Sequence, residues 1–132
     1  MQDTLKPNLE QGKIVLCDRF YDSTVAYQGF GDGIDQEIIK ILNPVAAQGL
    51  KPDLTFIIDI HPSIGLQKEA EGGRITDKGL EFHTRVNKGY RELAKQETGR
   101  INVIPYLEGN VEGMQNMIRV YVEEFLKKYK QN

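Results

Sequence analysis

Apolar residues along the chain gather into three short runs: KIVLC (Lys13 to Cys17), LTFIIDI (Leu54 to Ile60) and INVIPY (Ile101 to Tyr106). The first two are rich in Val, Ile and Phe and do not alternate with polar positions, the pattern of strands buried on both faces. Pro105 ends the third. Stretches of about 35 to 40 residues with helical spacing separate the runs, far too long for hairpins. Strands separated by helices predict a parallel sheet with right-handed crossovers, hence an α/β architecture.

The helices are legible from the same pattern. LKPNLEQGK (Leu5 to Lys13) reads as a helix feeding the first run. Gln36 to Leu42 is helical and stops at Asn43-Pro44. Pro62-Ser63 opens the next helix, with Ile64 and Leu66 facing inward. Leu80, Phe82, Val86, Tyr90 and Leu93 recur at near-helical spacing over Leu80 to Leu93. The last helix sets Val111, Met114, Met117, Ile118, Tyr121, Phe125 and Leu126 on one core-facing stripe, and KKYK places positive charge at its carboxyl end. Glycines at 29 to 33 and at 72 and 73 predict mobile loops.

Composition narrows the class. The 132 residues suit a single domain, and 27% charged with 39% apolar residues is the balance of a folded globular chain. A net charge of -2 argues against non-specific nucleic-acid binding but leaves room for a local basic site that takes a phosphate. The single cysteine, Cys17, has no internal disulfide partner, and its apolar neighbours predict a buried thiol in a reducing compartment. No apolar run approaches the ~20 residues that cross a bilayer, and the first residues lack a signal-peptide core. A cytoplasmic protein without membrane or nucleic-acid partners is the expectation.

The chemistry concentrates in IVLCDRFYDSTVAYQG, Ile14 to Gly29. Ligands of open parallel sheets bind beyond the carboxyl ends of the strands, and Asp18 and Arg19 stand at that end of the first run. A carboxylate there suits a hydrated Mg²⁺, and a guanidinium beside it can grip phosphate oxygens bidentately. A plain ion pair closing a strand is the competing explanation. Ser23, Thr24, Tyr27 and Gln28 would share one polar face of a helical turn, with Gln28 and Thr24 suited to a base edge and Tyr27 offering a flat wall. Asp22 or Ser23 suits the role of helix N-cap. His61 and His83 lack the neighbours of a metal site, and Glu69 and Glu71 read as a solvated face.

These residues carry a resemblance. LCDRFYDSTVAYQG resembles the Asp-Arg-aromatic motif of the thymidylate kinases, with the Ser and the Ala-Tyr-Gln that follow it. PDLTFIIDI, GLEFHTRVNKGYRELA and INVIPYLEGNVEGM are similar to that family's Pro-Asp strand, its helix after the lid, and the strand and adenine-side loop that close the fold. The resemblance implies a P-loop nucleoside-monophosphate kinase with a three-layer parallel sheet, moving the γ-phosphoryl of ATP onto dTMP to give dTDP in pyrimidine deoxynucleotide biosynthesis. It implies that Asp18 organises Mg²⁺ through water and Arg19 holds the dTMP phosphate. The same resemblance places Ser23 in the substrate site, has Thr24 and Gln28 read thymine and Tyr27 lie against the deoxyribose, and implies a lid at about 67–80 with Arg74 reaching the ATP phosphates.

The departures shape the expectation equally. No Gly-x-x-x-x-Gly-Lys-[Ser/Thr] occurs in the 132 residues, so the chain resembles the carboxyl-terminal three-fifths of such a kinase, a single partial domain over 1–132 with the first strands absent. The family's first strand would sit between the first and second runs, at the centre of the sheet. Lys68 stands where many relatives carry Arg, keeping charge but losing the fork. The chain alone is expected to be catalytically silent, associating as a homodimer or with a chain that supplies the missing strands. A non-enzymatic interaction module with an open sheet edge and a kinase for another monophosphate are the alternatives.

Overall fold

A computed structural model describes residues 2–73 and 77–131. In chain order the elements are α1 (Gln2–Glu10), α2 (Tyr21–Thr24), a π-helix (Val25–Gly31), α3 (Gln36–Ala46), β1 (Thr55–Asp59), α4 (Pro62–Glu71), α5 (Leu80–Gln96), β2 (Ile101–Pro105) and α6 (Val111–Lys130).

The sheet is parallel, as the spacing predicts. β1 pairs with β2 in the register Thr55 to Ile101 through Asp59 to Pro105. Side chains alternate across a strand. Asp59 accepts from Asn87 and Arg91 of α5, whereas Phe56 meets the Tyr121 ring of α6 at 6.1 Å between centroids. The two helices therefore cover opposite faces, giving three layers: α5, sheet, α6. Ile101 and Ile104 on β2 are buried, and Ile104 is the largest fully enclosed side chain among the described residues.

The first apolar run departs from expectation. Residues 13–17 have no regular secondary structure and form no strand, and Ile14 and Leu16 are 74% and 93% exposed. Strand geometry is held by hydrogen bonds to a neighbour, and among the described residues β1 pairs only with β2. Without a partner the run stays open, and Cys17 is exposed rather than buried. Its thiol donates to the Arg19 carbonyl at 3.2 Å.

Several helix boundaries also move. Pro44 lies inside α3 rather than ending it; the helix runs to Ala46 and is stopped by Gln48 and Gly49, both at positive φ. α4 has Pro62 in its first turn, and the His61 ring nitrogen accepts from the Ser63 N–H as its cap. Ile64 on that helix is 41% exposed instead of inward, while Leu66 is half-buried. On α5, Phe82 and Val86 are buried but Leu80 is half exposed. On α6, Val111 lies outside the packed stripe, and the rest of the stripe is only partly covered.

The glycines at 29 and 31 sit in packed helix, not in a loop. A Cβ added at Gly31 would lie 2.5 Å from the Phe82 ring, and one at Gly89 would lie 2.7 Å from Phe30. Only hydrogen fits at these two positions, so the π-helix and α5 cross at close range, around a small core of Ala26, Phe82 and Val86.

Candidate functional site

The exposed run 13–17 delivers Asp18 to a bend, and Arg19 follows in the left-handed region with φ 63°. Phe20 returns to extended geometry and precedes α2 without a side-chain cap. The N-cap expectation for Asp22 or Ser23 therefore fails, because both side chains are committed elsewhere. Asp22 is 5% exposed and receives both terminal nitrogens of Arg100, each at 2.8 Å. Thr55 Oγ1 also donates to Asp22, and Arg100 bonds Glu97, which pairs in turn with Lys51 at 2.7 Å. The Arg100 bonds hold the Glu97 carboxyl below its ordinary value and raise the guanidinium above its own.

Above this network Ser23 Oγ and Tyr90 Oη share a hydrogen bond of 2.9 Å. Burial pushes the Tyr90 hydroxyl up, and the Ser23 bond partly offsets it. Tyr27 meets the Tyr90 ring edge-on at 6.3 Å, and its hydroxyl accepts from Arg19 Nη2 at 2.9 Å. The segment that carries Tyr27 is a π-helix rather than a regular turn, closed by the Asp32 N–H to Tyr27 C=O bond of 2.9 Å. Such bulges recur at functional sites.

A cavity of about 1120 Å³ opens here. Asp18, Arg19, Ser23 and Tyr27 line it together with His83, Asn87 and Tyr90 of α5, and the residues Thr55 to Ile58 of β1 form another wall. Thr24 and Gln28 do not line it; Thr24 is half-buried and Gln28 exposed. Arg74 lies outside the described residues. Lys68 pairs with Glu108 at 2.8 Å and stands 5.6 Å from the Tyr106 ring, which fastens α4 to the loop after β2. Glu69 lines the cavity rather than facing solvent freely, whereas Glu71 is exposed.

Sequence patterning passed over Tyr90, Asn87, Asp59 and Arg100. Tyr90 counted as a core position because its spacing is helical. Asp59 ends β1 on the ligand side of a parallel sheet, a position the strand-end rule singles out, and it holds Asn87 at 3.1 Å and Arg91 at 2.9 Å. Arg100 had no sequence signal at all.

A sequence model of thymidylate kinase matches residues 1–118. The chain belongs to the thymidylate kinase family. It is 46% identical over 131 residues to a thymidylate kinase of Trichodesmium erythraeum, covering 96% of this chain and 56% of that one. A thymidylate kinase of Solidesulfovibrio magneticus is 47% identical over 113 residues, covering 77% of this chain and 54% of its own length. The crystal structure of a thymidylate kinase from Ehrlichia chaffeensis superposes with a TM-score of 0.64 at 38% identity, covering 89% of this chain and 54% of that one. The α/β fold is thus that of the family, and the chain spans about half the length of the curated relatives it matches.

The described residues hold no group of three or more His, Cys, Asp and Glu that could bind a metal. Asp18 and Asp53 are both exposed carboxylates on the cavity wall, a donor set that fits Mg²⁺, which is usually held by one or two carboxylates, several waters and substrate phosphates. No helix among the described residues is long and apolar enough to cross a membrane.

Proposed function

We propose that the chain carries the nucleoside-monophosphate side of a thymidylate kinase site, in which the phosphoryl of ATP passes to dTMP and gives dTDP. The observation that carries this is the convergence of Asp18, Arg19, Ser23 and Tyr27 on one cavity. Arg19 supplies fixed positive charge for the dTMP phosphate, and Tyr27 presents its ring to the sugar. Thr24 and Gln28 are assigned to the thymine edge on the resemblance alone, since neither lines the cavity. Arg74 is assigned to the ATP phosphates on the resemblance alone. Mg²⁺, when bound beside Asp18, neutralises charge on the transferring group.

Phosphoryl transfer depends mainly on positioning and charge stabilisation, and a Walker-A cradle normally supplies much of both. No such motif is present in these 132 residues, so the chain alone turns over no dTMP in this reading. Isothermal titration of the purified chain with dTMP, dUMP, dCMP and UMP tests the site, with dTMP bound most tightly. Absence of dTMP binding removes the reading. A coupled assay tests the silence, and steady ADP production by the pure chain contradicts it.

A second reading, an interaction module, is favoured by one observation: among the described residues β1 is paired on one side only, and its residues Thr55 to Ile58 face the cavity. An unpaired edge is a template for another strand. Light scattering after size exclusion separates the readings, since a stable monomer that binds dTMP counts against the module.

A further inference from the structure

Arg19 is held in place by more than its position in the chain. Its φ of 63° is uncommon for a residue with a Cβ and persists only where surrounding contacts impose it. The Cys17 thiol fixes its carbonyl at 3.2 Å, Tyr27 Oη accepts from Nη2 at 2.9 Å, and Cζ stands 4.9 Å from the Tyr27 ring centroid. Tyr27 is itself buttressed, by the Tyr90 ring at 6.3 Å and the Phe82 ring at 6.1 Å. The Tyr27 hydroxyl takes one of the five N–H donors of the guanidinium, so a bidentate pair remains for an anion. None of the ion pairs among the described residues uses Arg19, although it lines the cavity.

We propose that Tyr27 is a positioning residue for Arg19: its hydroxyl and ring hold the guanidinium ready at the cavity wall, where it meets the phosphate of the bound nucleotide. This rests on the dTMP reading of the site and gives Tyr27 a role besides any contact with the sugar. A loose arginine loses rotamer freedom when it grips a phosphate, whereas a tethered one has lost it on folding. The tether therefore strengthens binding of the phosphate-bearing ligand and leaves its dephosphorylated counterpart little affected.

The test titrates dTMP and thymidine into the full chain and into Tyr27→Phe, which keeps the ring and its packing on Tyr90 and Phe82. Removing the hydroxyl is expected to weaken dTMP by about tenfold and thymidine by less than about twofold, the scale of one charge-assisted hydrogen bond. In an Arg19→Lys background the same change should leave the dTMP-to-thymidine ratio where it was. Equal losses for both ligands, or tighter dTMP binding by Tyr27→Phe, overturn the proposal. The ¹⁵N spectrum of the Arg19 guanidinium decides independently of any nucleotide: restricted rotation in the parent and free rotation in Tyr27→Phe are expected, and equal mobility in both overturns it. A parent that shows the restricted guanidinium but binds no dTMP sinks the nucleotide reading and leaves the Tyr27–Arg19 tether standing.

Discussion

Asp22 and Arg100, 78 positions apart, face each other through two hydrogen bonds of 2.8 Å, with both side chains more than nine-tenths buried. The pair pins the start of α2, and with it Ser23, to the residue that precedes β2. Buried pairs cost desolvation when formed and cost more when half is removed.

Asp22→Ala should therefore destabilise the chain by about 3 kcal/mol, because Arg100 then keeps only Glu97 as a carboxylate partner. The paired replacement Asp22→Leu with Arg100→Met should cost clearly less than the single change. Urea unfolding measures both. A single-variant loss under about 1 kcal/mol would show that the pair is not what anchors α2.

Two helical glycines should respond to alanine with opposite signs. Gly65→Ala in α4 adds a methyl 3.6 Å from Ile60, ordinary contact, and should stabilise by up to about 1 kcal/mol through helix propensity. Gly89→Ala in α5 drives a methyl to 2.7 Å from the Phe30 ring and should instead cost about 1 to 3 kcal/mol. Thermal melts of the two variants decide, and a stabilised Gly89→Ala contradicts the close crossing of α5 with the π-helix.

The titrating groups give stability a limb on each side of neutrality. Arg100, and after it Lys51, depress the Glu97 carboxyl, so its contribution is present above the usual carboxylate range and lost as pH falls through and below about 4. Burial raises the Tyr90 and Tyr21 hydroxyls, so their contribution is intact at neutral pH and lost as pH climbs past about 10. Melting temperature followed against pH should fall at both ends. Glu97→Gln should flatten the acid limb and Tyr90→Phe the alkaline one; unchanged limbs in both variants refute the assignment.

α3 presents apolar residues outward as well as inward. Ile39 is buried beneath it, while Ile41 and Val45 are 69% and 74% exposed, with Ile38 and Leu42 beside them at half exposure or more. Contiguous apolar surface of this kind promotes association. The purified chain should elute as more than a monomer at micromolar concentration, and Ile41→Lys with Val45→Glu should shift it toward monomer by light scattering. No shift in that variant would place the contact elsewhere, with Ile14 and Leu16 the next surface to change.

How much of this was legible follows from the range of the interactions. α4 was readable because Pro62 stands in its first turn, whereas its cap, the His61 ring, is a finding of the structure. The parallel pairing of β1 and β2 was readable because one long helical connection admits few alternatives. The first run misled because its composition is that of a strand, yet strand character belongs to a pair of segments and not to one. Pro44 misled in the opposite direction: its ring ends most helices, but here α3 continues to Ala46.

Local sequence determined the main helices in outline, the two paired strands and the family motif around Asp18 and Arg19, because helices satisfy their hydrogen bonds within one segment and motifs repeat residue by residue. Tertiary structure alone decided that Asp22 binds Arg100, that Tyr90 stands against Ser23 and Tyr27, and that Ile14 and Leu16 lie open. Each of these depends on what folding brings within a few ångströms from dozens of positions away, or fails to bring, and no local pattern records that proximity.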